Sequence, residues 1–339
     1  MHHALVLGGG SFGTALAQVL ARRDVRVTLW VRSAEVATAI NASRRNPHYL
    51  SQFELHPHIW ATADLHAACG TCDTLVSGLP SSALRAVLQA AAPALSMPRV
   101  CIIGTKGIEP DSLMTMDEVT TDVLGIAWQP YVVALSGPSF AHEMMLEHPT
   151  AVVLACRQVD RAAALARQLF STVFRPYSSG DVVGVEMGGA LKNVMALAAG
   201  ALVGLGYGDN SRAAMITRGI AEMSRLAIAK GGSPLTLMGL AGVGDLVLTC
   251  TGGLSRNRAV GEAIGRGLCV DAACRSVGQV AEGIRTTAAA HALAQKLGVE
   301  APIIQAVYRV LFEGLPVKQA VGEVMQRVPG HETDGQGQA

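Results

Sequence analysis

Lys192 is the residue whose setting in this 339-residue chain asks for chemistry. It stands in the run 184–206, GVEMGGALKNVMALAAGALVGLG, which has the length and spacing of a buried helix and carries one other charge, Glu186. Stripping an ammonium of water costs several kcal/mol, so a buried lysine needs a partner. On a helix its neighbours at i−4, i−3, i+4 and i+7 are Gly188, Gly189, Ala196 and Ala199, with Asn193 one step round. All four are small, which predicts a lysine at the floor of an open space. The alternative is a lysine that snorkels to the surface along an apolar helix. A desolvated ammonium, its pKa lowered towards neutrality, can stabilise and protonate an oxygen that gains negative charge.

Three other groups could share that task. Lys106, in Gly104-Thr105-Lys106-Gly107, follows a strand-like run and so aims at the crevice where such strands end; alone it would read as a solvated loop lysine. Asp245, in Gly239-Leu240-Ala241-Gly242-Val243-Gly244-Asp245-Leu246, sits in an apolar setting and wants a cation, unless it is a helix cap. Arg256 opens a helix after Ser255 in Ser255-Arg256-Asn257-Arg258, where a guanidinium and helix N–H groups can share an anion; otherwise it is a solvated surface residue.

The elements that must position these groups begin with a strand, Ala4–Leu7, the loop Gly8-Gly9-Gly10-Ser11-Phe12-Gly13, and a helical pattern to Ala21. A G-x-G-x-x-G between strand and helix predicts a dinucleotide site, against the alternative of a generic glycine-rich turn. Gly8 permits the turn, Gly10 the approach of a pyrophosphate, and Gly13 the packing of helix on strand. The next strand, Val25–Val31, ends in Arg32 and Ser33 where an NAD-preferring site has an acid. An arginine there admits the 2′-phosphate of NADP, or is an ordinary surface residue. Further strands are predicted at Thr74–Leu79, Val100–Ile103, Tyr131–Leu135, Thr150–Ala155 and Thr172–Pro176. Helices are predicted at Ala83–Ala92, Asp111–Leu124 and Asp160–Phe170. The alternation gives an α/β, Rossmann-type, doubly wound N-terminal domain over residues 1–180. Strand patterns then stop, and 181–339 reads as an all-α C-terminal domain. It includes a helix Asp209–Lys230, capped by Asp209 or Asn210 and stopped at Gly231-Gly232, and a polar tail, 329–339, expected to fray.

Composition narrows the function. Half the residues are hydrophobic, 16% are charged and the net charge is +1, so no electrostatic footprint for nucleic acid exists. The longest apolar run, Val194–Leu205, is too short to span a bilayer, which predicts no stable membrane insertion, and the N-terminus lacks the signal-peptide pattern. Seven cysteines are scattered; Cys69 and Cys72 form a C-x-x-C with no second pair at zinc spacing, so no metal is expected and a reduced cytoplasm is. His2 and His3 are set aside as a tag remnant or a native end.

Taken together, GGGSFGTALA, TKGIE, SGPSFA, LKNVMALAAG, GYGDNSRAAMITRGIAEM, GLAGVGDLVLTC, SRNR and VAEG resemble the bacterial type of NAD(P)-dependent glycerol-3-phosphate dehydrogenase, from about residue 4 to 327. The family usually has N-x-x-Y-L-P-G where residues 46–52 read NPHYLSQ, and Phe12 stands where other aromatics are common. The resemblance implies reversible reduction of dihydroxyacetone phosphate to sn-glycerol 3-phosphate for glycerophospholipid synthesis, with NAD or NADP, by a cytoplasmic homodimer. It makes Lys192 the catalytic residue. It makes Lys106, Gly137, Ser139, Lys192, Asn193, Asp245, Ser255, Arg256 and Asn257 substrate contacts. Gly8, Gly10, Ser11, Phe12, Gly13, Arg32, Lys106, Ala141, Arg256, Val280 and Glu282 become cofactor contacts. The rivals are a β-hydroxy-acid dehydrogenase of the same two-domain architecture and a non-catalytic dinucleotide sensor. The SRNR and TKG segments argue against the first, and two lysines with an aspartate against the second.

Overall fold

Eight strands form one sheet in the computed structural model, which describes residues 1–278 and 281–328. They are β1 (His3–Leu7), β2 (Arg26–Trp30), β3 (Ile59–Thr62), β4 (Thr74–Ser77), β5 (Val100–Ile103), β6 (Val132–Ser136), β7 (Thr150–Ala155) and β8 (Phe174–Ser179). Their order is β3-β2-β1-β4-β5-β6-β7-β8. Neighbours from β3 to β6 run parallel, β7 is antiparallel to β6, and β8 is parallel to β7. Helices cover both faces, and β1, HALVL, is buried from end to end, as a strand covered on both sides must be. The order reverses beside β1, so the ends of β1 and β4 open a crevice at the start of the helix Ser11–Ala21.

Several expected elements are corrected. β3 is a strand that periodicity did not reveal, because four residues with Trp60 exposed give too little alternation to register. His3 belongs to β1: its ring nitrogens lie 2.9 Å from Thr71 O and 2.8 Å from Thr28 Oγ1, so it is part of the fold and not a dispensable end. The helix expected from Asp111 begins at Met116, since Leu113 has φ +59° and Thr115 with Glu118 makes a capping box. The helix Asp209–Ala229 is capped by Gly208, not by Asp209 or Asn210. The expected fraying of 329–339 lies outside the described residues.

After β8 the chain is helical. The lysine helix, Val182–Gly204, is 23 residues long, with Asp181 accepting from Gly184 N–H at its start. Its row of small residues admits other backbones. A Cβ on Gly200 would lie 2.0 Å from Arg258 O, one on Gly261 2.1 Å from Leu197 O, and one on Gly188 2.3 Å from Ala241 O. The helix Arg256–Gly265 therefore packs backbone to backbone across it. The lysine helix is also longer than the apolar run read from sequence. By length and composition it could cross a membrane, but 72% of its most apolar window is buried inside the protein.

Candidate active site

Lys192 is 8% exposed and does not snorkel. Its Nζ donates to Asp245 Oδ1, and Lys106 Nζ lies 2.6 Å from Asp245 Oδ2. One carboxylate, 1% exposed, thus joins a lysine from the lysine helix to a lysine from the loop after β5. Asp245 starts the helix Asp245–Thr251 and caps no N–H there, so the cap reading falls and the cation reading stands. Thr249 Oγ1 donates to Asp245 O at 2.6 Å and steadies that turn.

The electrostatics follow from burial and these two ion pairs. Burial pushes the Lys192 pKa down to about 7; Asp245 resists the fall and the positive charge of Lys106 adds to it. For Asp245 burial acts upwards, but the charges of Lys106 and Lys192 outweigh it and hold the carboxyl below its ordinary range. The trio therefore has a proton to give or take near neutrality.

The space expected above Lys192 is partly filled. A Cβ on Gly189 would lie 2.7 Å from Ser136 Oγ and 3.5 Å from the Cγ and Cδ of Lys106, so this glycine seats the second lysine. Gly188 faces the turn at Ala241, and Ala196 and Ala199 are packed in the core. The small residues serve contact between elements more than room for a ligand, a distinction that type and spacing do not encode.

Other predicted residues gather around the trio. Gly137, at φ +126°, turns its carbonyl to Lys106 Nζ at 3.4 Å and to Ser139 Oγ at 2.9 Å. Asn193 Oδ1 accepts from Asn257 Nδ2 at 3.0 Å, and Asn257 Oδ1 accepts from Gly283 N–H at 3.0 Å. Three helices are thereby tied together beside the lysine. Ser255 is an N-cap, its Oγ accepting from Arg258 N–H at 3.2 Å, which places exposed Arg256 at the first helical position. Arg258 points elsewhere, to Gly252 O and Glu262.

On the crevice side, Gly8 adopts φ +102° and Gly13 packs on Gly78, where a Cβ on Gly78 would lie 2.5 Å from Gly13 Cα. Gly10 faces open space and is the N-cap of an 11-residue helix with no side chain on its free N–H groups. Backbone and helix dipole there suit a pyrophosphate, so the residues present fit a dinucleotide. Ser11 and Phe12 open that helix, and Lys106 Nζ lies 5.9 Å from the Phe12 ring centroid. Arg32 is exposed beyond the end of β2, and Ala141 starts a short helix packed on the Ser11–Ala21 core. Glu282 accepts from Ser81 N–H at 3.1 Å; burial pushes its carboxyl up to about 7, against Ser81 and the charge of Arg256. Val280 lies outside the described residues.

Two contributors escaped the sequence reading. Asn46, 1% exposed, donates to Gly9 O at 2.8 Å and Thr14 Oγ1 at 3.0 Å and so braces the glycine-rich loop. Its signal was the N-x-x-Y of the loop that departs from the family pattern. Ser136 Oγ, buried beside Lys106, has no hydrogen-bond partner, and the SGPS run was its only trace. Among the described residues no group of three or more His, Cys, Asp or Glu could hold a metal. Cys69 and Cys72 are buried thiols, and burial pushes Cys69 up to about 11.

Comparison with known proteins agrees with this geometry. The profile described as NAD-dependent glycerol-3-phosphate dehydrogenase N-terminus matches residues 3–162, and the corresponding C-terminus profile matches 181–322. The chain is 50% identical to a glycerol-3-phosphate dehydrogenase (NAD(P)+) of Anaeromyxobacter dehalogenans (strain 2CP-C) over 327 residues, 96% of this chain and 98% of the relative. It is 44% identical to that of Bacillus velezensis over 334 residues, 98% and 97% of the two chains. A crystal structure of glycerol-3-phosphate dehydrogenase from Coxiella burnetii superposes with a TM-score of 0.91 at 40% identity, covering 96% and 99%.

Proposed function

The chain belongs to the NAD-dependent glycerol-3-phosphate dehydrogenase family, and from that premise we propose that Lys192 is its proton donor and Arg256 its phosphate anchor. The enzyme reduces dihydroxyacetone phosphate to sn-glycerol 3-phosphate, reversibly, with NAD or NADP. The observation that carries the assignment of Lys192 is the shared carboxylate, which keeps a buried lysine titratable near pH 7.

Bound NAD(P)H supplies the hydride; Gly8, Gly10, Ser11, Phe12 and Gly13 would hold its pyrophosphate, with Arg32, Lys106, Ala141, Arg256, Val280 and Glu282 further contacts. Lys192 protonates the substrate oxygen as negative charge develops on it, and in reverse removes that proton. Asp245 orients the ammonium. Lys106, Gly137, Ser139, Asn193, Ser255 and Asn257 line the substrate's place. The phosphate is the group able to supply most of the binding energy, and a guanidinium at a helix start suits it. Binding at that remote end holds the carbonyl in position, so it acts on kcat as well as KM.

A division into domains near residue 180 belongs to the same reading, supported by the change from strands to helices after Ser179. So does a cytoplasmic enzyme without membrane insertion, supported by seven unpaired cysteines and by the burial of the long apolar helix. A homodimer is supported by exposed apolar side chains on and after the last helix, Met325 and Val328.

The test is kcat/KM for dihydroxyacetone phosphate and for unphosphorylated dihydroxyacetone. The wild type favours the phosphorylated ketone strongly, Arg256→Ala loses most of that preference, and Arg256→Lys recovers part. If the preference survives in Arg256→Ala and collapses in Arg258→Ala, the anchor is the other arginine.

A further inference from the structure

The chain holds five lysines against 22 arginines, and two of the five meet on one buried carboxylate. The choice of residue matters, because a lysine gives up its proton on burial and an arginine does not. The fold fixes Lys106 in this role. Its stem lies on the lysine helix at Gly189, less than one turn before Lys192, and its Nζ sits between Asp245 Oδ2 at 2.6 Å and Gly137 O at 3.4 Å.

We propose that Lys106 sets the protonation of Lys192 by sharing Asp245 with it, so that the acid of the reaction belongs to the trio and not to Lys192 alone. This rests on the reading of Lys192 as proton donor. With both lysines charged, the site carries one net positive charge behind nearly dry walls; release of one proton leaves it neutral. Burial lowers the pKa of Lys192, whose side chain is 10% exposed, so a proton can leave it near neutrality. Lys106 acts on it twice in the same direction: it takes half of the carboxylate's charge, and its own charge repels the second ammonium. Burial first, and this repulsion with it, bring Lys192 down to about 7.

Several other ionisable groups on elements packed around the lysine helix are committed elsewhere. Cys250, on the helix of Asp245, stays a thiol because burial pushes it up. Glu186, on the lysine helix itself, accepts from Met116 N–H, and Glu222 accepts from Ile303 and Ile304 N–H. Arg258 pairs with Glu262, and Glu282 accepts from Ser81 N–H near Arg256.

In reduction, an N–H bond of Lys192 breaks as the O–H bond of the product forms, while the hydride from NAD(P)H becomes the new C–H bond. The neutral amine that remains takes a proton from water. Lys106 makes the donation easier and leaves a base ready for the reverse reaction at neutral pH.

The experiment uses the full-length protein with ¹³Cε-labelled lysine and no ligand. The chain should give five lysine signals, with that of Lys192 assigned by its loss in Lys192→Met. In Lys106→Met the titration midpoint of Lys192 rises by about one pH unit or more, a tenfold change in its acidity. In Lys106→Arg, which keeps the charge on Asp245, the midpoint stays near that of the wild type. The high-pH limb of kcat for dihydroxyacetone phosphate reduction moves with the midpoint in both variants. An unchanged Lys192 midpoint in Lys106→Met overturns the proposal, even if kcat falls, because Lys106 then acts only on substrate or cofactor. Near-normal turnover in Lys192→Met instead overturns the reading of Lys192 as the acid, whatever the titration shows.

Discussion

Lys192 and Glu186 stand on one helix, less than two turns apart, and are 8% and 5% exposed, yet the protein treats them in opposite ways. Lys192 meets an ionised carboxylate that it shares with a second lysine. Glu186 meets a backbone N–H, that of Met116 at 3.2 Å, with Asp117 as a carboxylate neighbour. Burial and the charge of Asp117 push the Glu186 carboxyl well above its ordinary range. Asp117 pairs with Arg157, 3.0 Å away. A buried ionisable group is therefore not by itself a sign of chemistry. What separates the two is the partner: a shared opposite charge keeps Lys192 poised, whereas Glu186, beside a like charge, meets only an N–H dipole and ties the lysine helix to the helix Met116–Leu124.

The largest effect should come from the poised group. Lys192→Ala lowers kcat by about 10²-fold or more, as loss of a general acid does, and leaves cofactor affinity nearly unchanged. Single-turnover rates with NADH and dihydroxyacetone phosphate measure the first, and nicotinamide fluorescence titration the second. Near-normal turnover would remove the contrast between the two ends of the helix.

Asp245→Asn should come next, with a loss of about tenfold in kcat at pH 7, the size of a pKa displaced by about one unit. Without the carboxylate both lysines lose their counter-ion, so Lys192 falls below its present value of about 7. Reduction needs the protonated lysine, so the high-pH limb moves down and activity recovers as the pH is lowered. The folded fraction must be measured alongside, since removing one partner of a buried pair costs about 3–5 kcal/mol. A kcat profile that keeps its limb would show that Asp245 only holds geometry.

The parts of this comparison were unequally legible in the sequence. The glycine-rich loop could be read because its chemistry is backbone chemistry at fixed local spacing: Gly8 makes the turn, Gly13 packs closely, and Gly10 faces open space. Lys192, Lys106 and Asp245 could each be singled out as a charge among apolar neighbours. Asp245 could be read as the partner of Lys192 and Lys106 as a lysine aimed at the same crevice, but the sharing of one carboxylate by both could not, because 53 and 139 residues separate Asp245 from its two lysines and no local pattern records the meeting. The resemblance supplied their roles but not the sharing of Asp245 between the two lysines. The small residues around Lys192 were misread as room for a ligand. Glycine marks any close approach, whether of a ligand or of another element, and here it was a backbone at Gly188 and the side chains of Ser136 and Lys106 at Gly189. Asn46 and β3 were missed for a simpler reason: a single buttressing side chain and a four-residue strand have no periodicity.

The smallest expected effect on activity is at Glu186, and there the comparison is most exposed to refutation. If Glu186 is neutral when folded, Glu186→Gln replaces a neutral acid by a neutral amide of the same shape, and its oxygen can still accept from Met116 N–H. Turnover should then stay within about twofold of wild type, well under the tenfold worth of one pKa unit. Stability should reveal the group instead. The folded Glu186 pKa is raised above its ordinary value of 4.5, so its share of stability is fully present below that pH. That share is lost as the pH rises towards the folded value, because the unfolded chain gives up the proton first. Wild type should therefore lose more stability than Glu186→Gln between pH 5 and pH 8, with the two curves close at the acid end and the variant ahead at the alkaline end. Urea melts of both proteins across that interval measure the difference, and taking the difference cancels every other titrating group. Parallel curves would mean that Glu186 is ionised in the fold. A tenfold fall in kcat without loss of stability would mean that both charges on the helix serve the reaction, and that burial beside a backbone N–H does not silence a carboxyl.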